Sequence, residues 1–151
     1  MIKYPPLPNG NAIFCDDIRE EVTGKRTLVG VYNSEIILSA NYPSRIPLLC
    51  VEVHFRIDPD TPEQPLGIKI TQDTNGESKV VAEVEMAWPG LPVDTKFPDL
   101  HDENGRNSVQ MVAVLRLHDV LVHGPCGLRA KAFFDGDEYR LGFLGVRSNA
   151  S

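Results

Sequence analysis

From Val51 to Ile57 the chain alternates strictly. Val51, Val53, Phe55 and Ile57 fall on one face, and Glu52, His54 and Arg56 on the other. Only an extended strand places every second side chain on the same side. The pattern therefore predicts a half-buried strand of an antiparallel sheet over 48–57. A second alternation runs from Lys79 to Met86, where Val80, Ala82, Val84 and Met86 oppose Val81, Glu83 and Glu85. No segment carries an apolar stripe at helical spacing, and Ile18 to Val22 has material for one helical turn at most.

Other strands are expected at 11–15, 27–32, 66–71, 109–117 (with a continuation at 120–123), 128–134 and 138–146, with a short edge strand at 34–38. Turn chemistry separates them: Asn9-Gly10, Asp58-Pro59-Asp60, Asn75-Gly76, Gly124-Pro125 and Asp135-Gly136. The Asp-Gly step between two alternating runs is a hairpin signal. Many short strands and no helix predict an all-β fold, a single antiparallel β-sandwich, Ig-like in general architecture; a partly closed β-barrel is the alternative. The expected core comprises Phe14, Leu28, Val51, Val53, Phe55, Val84, Val112, Val114 and Phe143. Residues 1–10 read as an extended Pro-rich arm, 11–146 as the sandwich and 147–151 as a polar tail. Residues 87–108 hold no pattern and read as a long loop, a kind often functional.

With 151 residues the chain has the size of one domain. Its net charge of -6, with no Lys/Arg cluster beyond Lys25-Arg26, argues against nucleic acid as a partner, because phosphate binding runs on clustered cations. No apolar run approaches the length of a membrane span, and no secretory leader is expected ahead of Tyr4-Pro5-Pro6. The three cysteines, Cys15, Cys50 and Cys126, form no C-x-x-C pair. They read as small core residues in a reducing, cytoplasmic setting, without zinc.

The segment Phe14-Cys15-Asp16-Asp17-Ile18-Arg19, the Gly24-Lys25 turn and the run Leu28-Val29-Gly30-Val31-Tyr32 carry a family resemblance. In them the chain resembles a family of uncharacterised bacterial and phage-associated proteins of similar length. Pro43 and the final Gly-containing hairpin follow the same outline. The resemblance implies a small β-sandwich-like domain, and a virion component if the chain is phage-encoded. It implies no catalytic residues.

Candidate contact residues are Asp16, Asp17, Arg19 and Glu21 in the charged connection, with Tyr42 and Trp88 beside loops. The guanidinium fork of Arg19 suits a carboxylate on a partner, and Tyr and Trp are enriched at interfaces. The same acids serve equally as turn residues that accept backbone N–H bonds. Acids at Asp58, Asp60, Asp99, Asp102, Glu103, Asp135 and Asp137 suggest calcium held between sandwich loops, though no calcium-loop spacing occurs. His54, His101, His118 and His123 are too few and too scattered for a transition-metal site. No Gly-x-Ser-x-Gly and no phosphate loop appears. The expected function is a non-catalytic binding or structural module without cofactor or metal, acting on an unidentified protein partner or by self-association. A calcium-dependent ligand- or membrane-binding sandwich and a hydrolase with an unrecognised site are the alternatives.

Overall fold

The computed structural model describes residues 5–88 and 108–150. Nine strands follow in order: β1 (Asn9–Glu20), β2 (Arg26–Val31), β3 (Glu35–Leu38), β4 (Ser44–Ile57), β5 (Gln64–Thr74), β6 (Glu77–Trp88), β7 (Val109–Val122), β8 (Cys126–Phe134) and β9 (Asp137–Ser148). No helix occurs among the described residues. The strands form two separate sheets, a four-stranded one in the order β2-β1-β4-β7 and a five-stranded one in the order β3-β9-β8-β5-β6. The fold is therefore an all-β sandwich, not a closed barrel. All pairings are antiparallel except β3 with β9, which is parallel and places the expected edge strand at the rim of the larger sheet.

Strand β4 holds the middle of the smaller sheet. Arg56 to Cys50 pair with Asn9 to Cys15 of β1, and thirteen register pairs between Ser44 and Ile57 join β4 to β7. Its alternation sends Val51, Val53, Phe55 and Ile57 into the space between the sheets, where they meet Ile68 and Ile70 of β5 and Leu128, Ala130 and Ala132 of β8. Phe55 is fully buried and makes edge contacts with Phe134 and Tyr139, at centroid distances of 5.8 and 5.4 Å. This geometry is favoured by the ring quadrupoles.

Five core expectations are corrected or refined. Val112 is 37% exposed because β7 turns the opposite set inward, Met111, Leu115 and Leu117. A one-residue shift of phase exchanges the two faces of a strand. Val84 is 38% exposed because β6 lies at the sheet edge, with only β5 beside it. Phe143 is 52% exposed. Between β8 and β9 the register steps from Ala130↔Gly142 to Lys131↔Arg140, so Leu141 is the extra residue of a bulge. Leu141 and Leu144 both point inward, which turns Phe143 out. Leu28 and Val114 are half-buried, in a second small core outside the smaller sheet.

The helical turn expected at 18–22 is also corrected. Strand β1 continues through Glu20 because residues 17–20 pair with residues 26–29 of β2. Most of the loop expected at 87–108 lies outside the described residues, with Asp99, His101, Asp102 and Glu103.

Phe55→Ala is expected to cost about 3–5 kcal/mol, the usual range for a large aromatic removed from a close-packed core. Urea unfolding of both proteins reads this directly; an unchanged midpoint would refute the placement of β4.

Candidate functional site

Cys15 is where β1 changes neighbours. Up to Cys15 it pairs with β4, and from Cys15 onward it pairs with β2. Beyond that point the β1–β2 hairpin lies over the outer side of the smaller sheet. Ile18 and Leu28 pack on Cys15, Cys50, Leu48 and Val114, forming the second core. The Arg116 Nη2 group of β7 donates to the Ile18 carbonyl at 3.0 Å and ties the hairpin down. The tip is a tight turn in which the Glu21 and Gly24 amides donate to the Lys25 and Glu21 carbonyls, at 2.8 and 2.9 Å. Val22 stands wholly exposed there.

The hairpin satisfies most of its own polar groups. Asp16 accepts a hydrogen bond from the Tyr32 hydroxyl. Gly30, at φ +66°, makes room for it, since a Cβ there would lie 2.1 Å from Asp16 Oδ2. Asp17 accepts from the Ile18 amide at 2.9 Å and faces Arg19 at 3.5 Å. Glu21 accepts from the Thr27 hydroxyl at 2.8 Å. The structure thus brings Asp16, Asp17, Arg19 and Glu21 to one hairpin, where Asp17 faces Arg19 and Asp16 and Glu21 are held by Tyr32 and Thr27. Tyr42 lies elsewhere, half-buried against the main core, with its buried hydroxyl making no hydrogen bond among the described residues. Trp88 ends β6 opposite Gln64.

Beneath the hairpin sits a carboxylate that the sequence reading passed over. Glu52 is 4% exposed. The Arg26 guanidinium of β2 binds Oε1, and His54 Nε2 lies 2.9 Å from Oε2. Gln110 Nε2 is 2.8 Å from His54 Nδ1. With the proton on Nε2, the ring donates to Glu52 and accepts from Gln110, which satisfies all three side chains. Both ring nitrogens are then occupied, so His54 here is a positioned link, not a free base or ligand. Burial alone would push the Glu52 carboxyl up; the Arg26 and His54 hydrogen bonds outweigh it and hold the group below its ordinary value. The available signal was an acid and a His two apart on the polar face of β4. Its partner Arg26 lies twenty-six residues earlier, a contact no local pattern shows.

The outer side of the five-stranded sheet is different in kind. Lys69, Lys131 and Arg140 stand directly opposite one another on β5, β8 and β9. Phe133 lies on one flank, with Lys69 Nζ 4.8 Å from its centroid, and Phe143 on the other, with the Arg129 guanidinium at 5.1 Å. Gly127 lets the Phe143 ring lie flat on the sheet, because a Cβ there would be 2.3 Å from Cε2. Acids attend three of the cations: Glu83 at 3.8 Å from Lys69, Glu138 at 3.0 Å from Lys131 and Asp73 at 3.1 Å from Arg129. Arg140 is exposed and has no charged partner among the described residues. Beside Phe133 runs an open groove of about 510 Å³, lined by Gln64, Pro65, Gly67, Lys69 and Glu85.

Of the acids suggested for calcium, the four in described residues lie at one end of the sandwich, Asp58 and Asp60 in the β4–β5 loop and Asp135 and Asp137 at the β8–β9 turn. Asp58 is engaged by the Asp60 amide at 2.9 Å. Among the described residues, no three His, Cys, Asp or Glu side chains converge on a metal-sized point. Among the described residues there is no helix long and apolar enough to cross a membrane.

The architecture defines a β-sandwich with one capped face and one open, charged and aromatic face. No family model matches the chain, and no solved structure matches it. It is similar to FT-interacting protein 1 of Arabidopsis thaliana, with 31% identity over 93 residues. That stretch is 61% of this chain and 12% of the plant protein, so the chain spans a small part of that relative's length.

Arg26→Ala is expected to cost about 1–3 kcal/mol at neutral pH, because it leaves the buried Glu52 with one partner fewer. The pair's contribution is complete above the ordinary carboxylate value of 4.5 and fades as pH falls through the depressed folded value. Urea titrations at neutral and acid pH should show the two proteins converging in acid; a constant difference would refute the linkage. Gly30→Ala is expected to lose about 1–2 kcal/mol from the left-handed backbone alone, with more from displaced Asp16, read as a lower thermal midpoint.

Proposed function

We propose that the chain is a non-catalytic docking module that binds an acidic surface of a partner protein through the outer side of its five-stranded sheet. The observation that carries this reading is the row Lys69–Lys131–Arg140, held between two outward aromatic rings. Like charges placed directly opposite across strands repel, and a partner carboxylate offsets that cost. Arg140, free of a charged partner among the described residues, is the group such a carboxylate would engage. Aromatic and Arg side chains are the types that dominate binding energy when desolvated. A rigid sheet holds them in place before any partner arrives, which lowers the entropy lost on association.

The name of the plant relative describes a protein that interacts with another, which supports a binding role. The Ig-like architecture draws support from the sheet orders, with β4 and β5 crossing between sheets and β3 returning beside β9. Membership of the bacterial and phage-associated family, with a cytoplasmic or virion location, remains part of this proposal and rests on the Phe14–Arg19 and Leu28–Tyr32 segments.

The test is a cross-linking capture from the source cell's extract with three baits: wild type, the double variant Phe143→Ala/Arg140→Glu, and the double variant Asp17→Ala/Arg19→Ala. Light scattering on each bait reports self-association in parallel. The sheet-face variant should keep its thermal midpoint within a few degrees and lose the captured protein, while the hairpin variant keeps it. Loss in the hairpin variant alone would overturn the assignment and move the contact surface to residues 16–21.

A further inference from the structure

Cys15 and Cys50 are directly opposed residues of β1 and β4. Both are free thiols, fully buried, and both belong to the small core under the hairpin. Opposed residues of an antiparallel pair have Cα atoms about 4.5–5.5 Å apart, with side chains on the same side. A disulfide spans about 4.4–6.8 Å between Cα atoms, so the register places the two residues at a separation a disulfide can bridge. Cys15 is also the last residue that β1 shares with β4 before it joins the hairpin. A covalent link there would fix the root of the hairpin to the strand at the centre of the smaller sheet.

We propose that Cys15 and Cys50 form an oxidation site that closes into a cross-strand disulfide with hydrogen peroxide as the two-electron oxidant, pinning the hairpin root to β4. This rests on strand register and burial and stands independently of the docking role.

Cys50 is the attacking sulfur. The positive charge of Arg116, its register partner on β7, and the nearby Ile18 backbone both favour its thiolate. In the first step the Cys50 thiolate attacks one peroxide oxygen. The S–O bond forms, the O–O bond breaks, and hydroxide leaves and takes up the thiol's proton as water. In the second step the Cys15 sulfur attacks the sulfenic sulfur. The S–S bond forms, the S–O bond breaks, and a second water leaves with the Cys15 proton. Two thiols are oxidised by two electrons, and one peroxide is reduced to two waters. Burial pushes both thiols up, and Cys15 reaches about 11 with Cys50, Glu52 and Asp16 also opposing its ionisation. The thiolate is the reactive form, so the closure is slow and answers sustained oxidation rather than a brief pulse.

The full chain carrying Cys126→Ser isolates the pair, because Cys126 is the third thiol and lies outside the second core. The protein is treated with hydrogen peroxide, unfolded in an alkylating agent and weighed. Two alkylated thiols before treatment should fall to none, with the loss of two hydrogen masses, a monomer on a non-reducing gel and full recovery in dithiothreitol. Hydrogen exchange across residues 16–31 should slow in the oxidised form. Two thiols still open to alkylation, added oxygen mass without a disulfide, a cross-linked dimer, or unchanged exchange in the hairpin would each overturn the proposal. A second chain, Cys126→Ser/Cys15→Ala, keeps the attacking sulfur alone and should gain oxygen in place of the intramolecular bond; complete resistance would overturn the assignment of Cys50 as the attacking sulfur.

Discussion

Burial of β4 on both sides is the constraint on which the rest of the structure depends. Val51, Val53, Phe55 and Ile57 fill the space between the sheets, while Cys50 and Glu52 on the reverse side are just as thoroughly removed from water. A strand with one apolar and one polar side needs only one covering layer. This one has two, and the second is the β1–β2 hairpin. Covering Glu52 without a counter-charge would be severe, because an isolated carboxylate in a low-dielectric setting is strongly disfavoured. Arg26 arrives with the hairpin that does the covering, so the element that desolvates the carboxylate also neutralises it.

The two outer sides of the sandwich consequently differ in availability. On the smaller sheet the hairpin acids mostly find partners within the hairpin, and its apolar underside is spent on Cys50, Leu48 and Val114. On the larger sheet the polar side chains cross-brace one another, yet two aromatic rings remain outward and Arg140 has no acidic partner among the described residues. A chain of net charge -6 repels acidic partners at long range, but screening confines that field to about 8–10 Å at physiological salt. At contact distance the local row of cations governs.

Much of the fold was legible because alternation is a local property. Val51 to Ile57, the Asn75-Gly76 turn and the Asp135-Gly136 turn each state their conformation within a few residues, and the glycines at 76 and 136 adopt the positive φ those turns require. Legibility failed where a face was decided by a distant strand. Val112 and Val114 alternate as cleanly as Met111, Leu115 and Leu117, and only the packing of β7 beside β4 chooses between the sets. Phe143 was misplaced by a single bulged residue. The acids of Asp16 to Glu21 are conspicuous in the sequence, but their partners Tyr32 and Thr27 lie across a hairpin whose fold over the sheet depends on Ile18 and Leu28. Glu52 was overlooked for the converse reason, since one acid in a polar phase looks ordinary until its surroundings are known.

The parallel pairing of β3 with β9 bears on how the chain is made. Glu35 and Arg147 join through two hydrogen bonds across 112 residues. A growing chain emerges from its N-terminal end first, so β3 exits long before the strand that will hold it. Four residues of edge, Glu35 to Leu38, must wait with unpaired amides and carbonyls until almost the entire domain has followed. Contacts of such separation slow folding, since the loop must close before the pairing rewards it. The larger sheet is therefore completed at its rim only after β9 has followed β3 through more than a hundred residues of intervening chain.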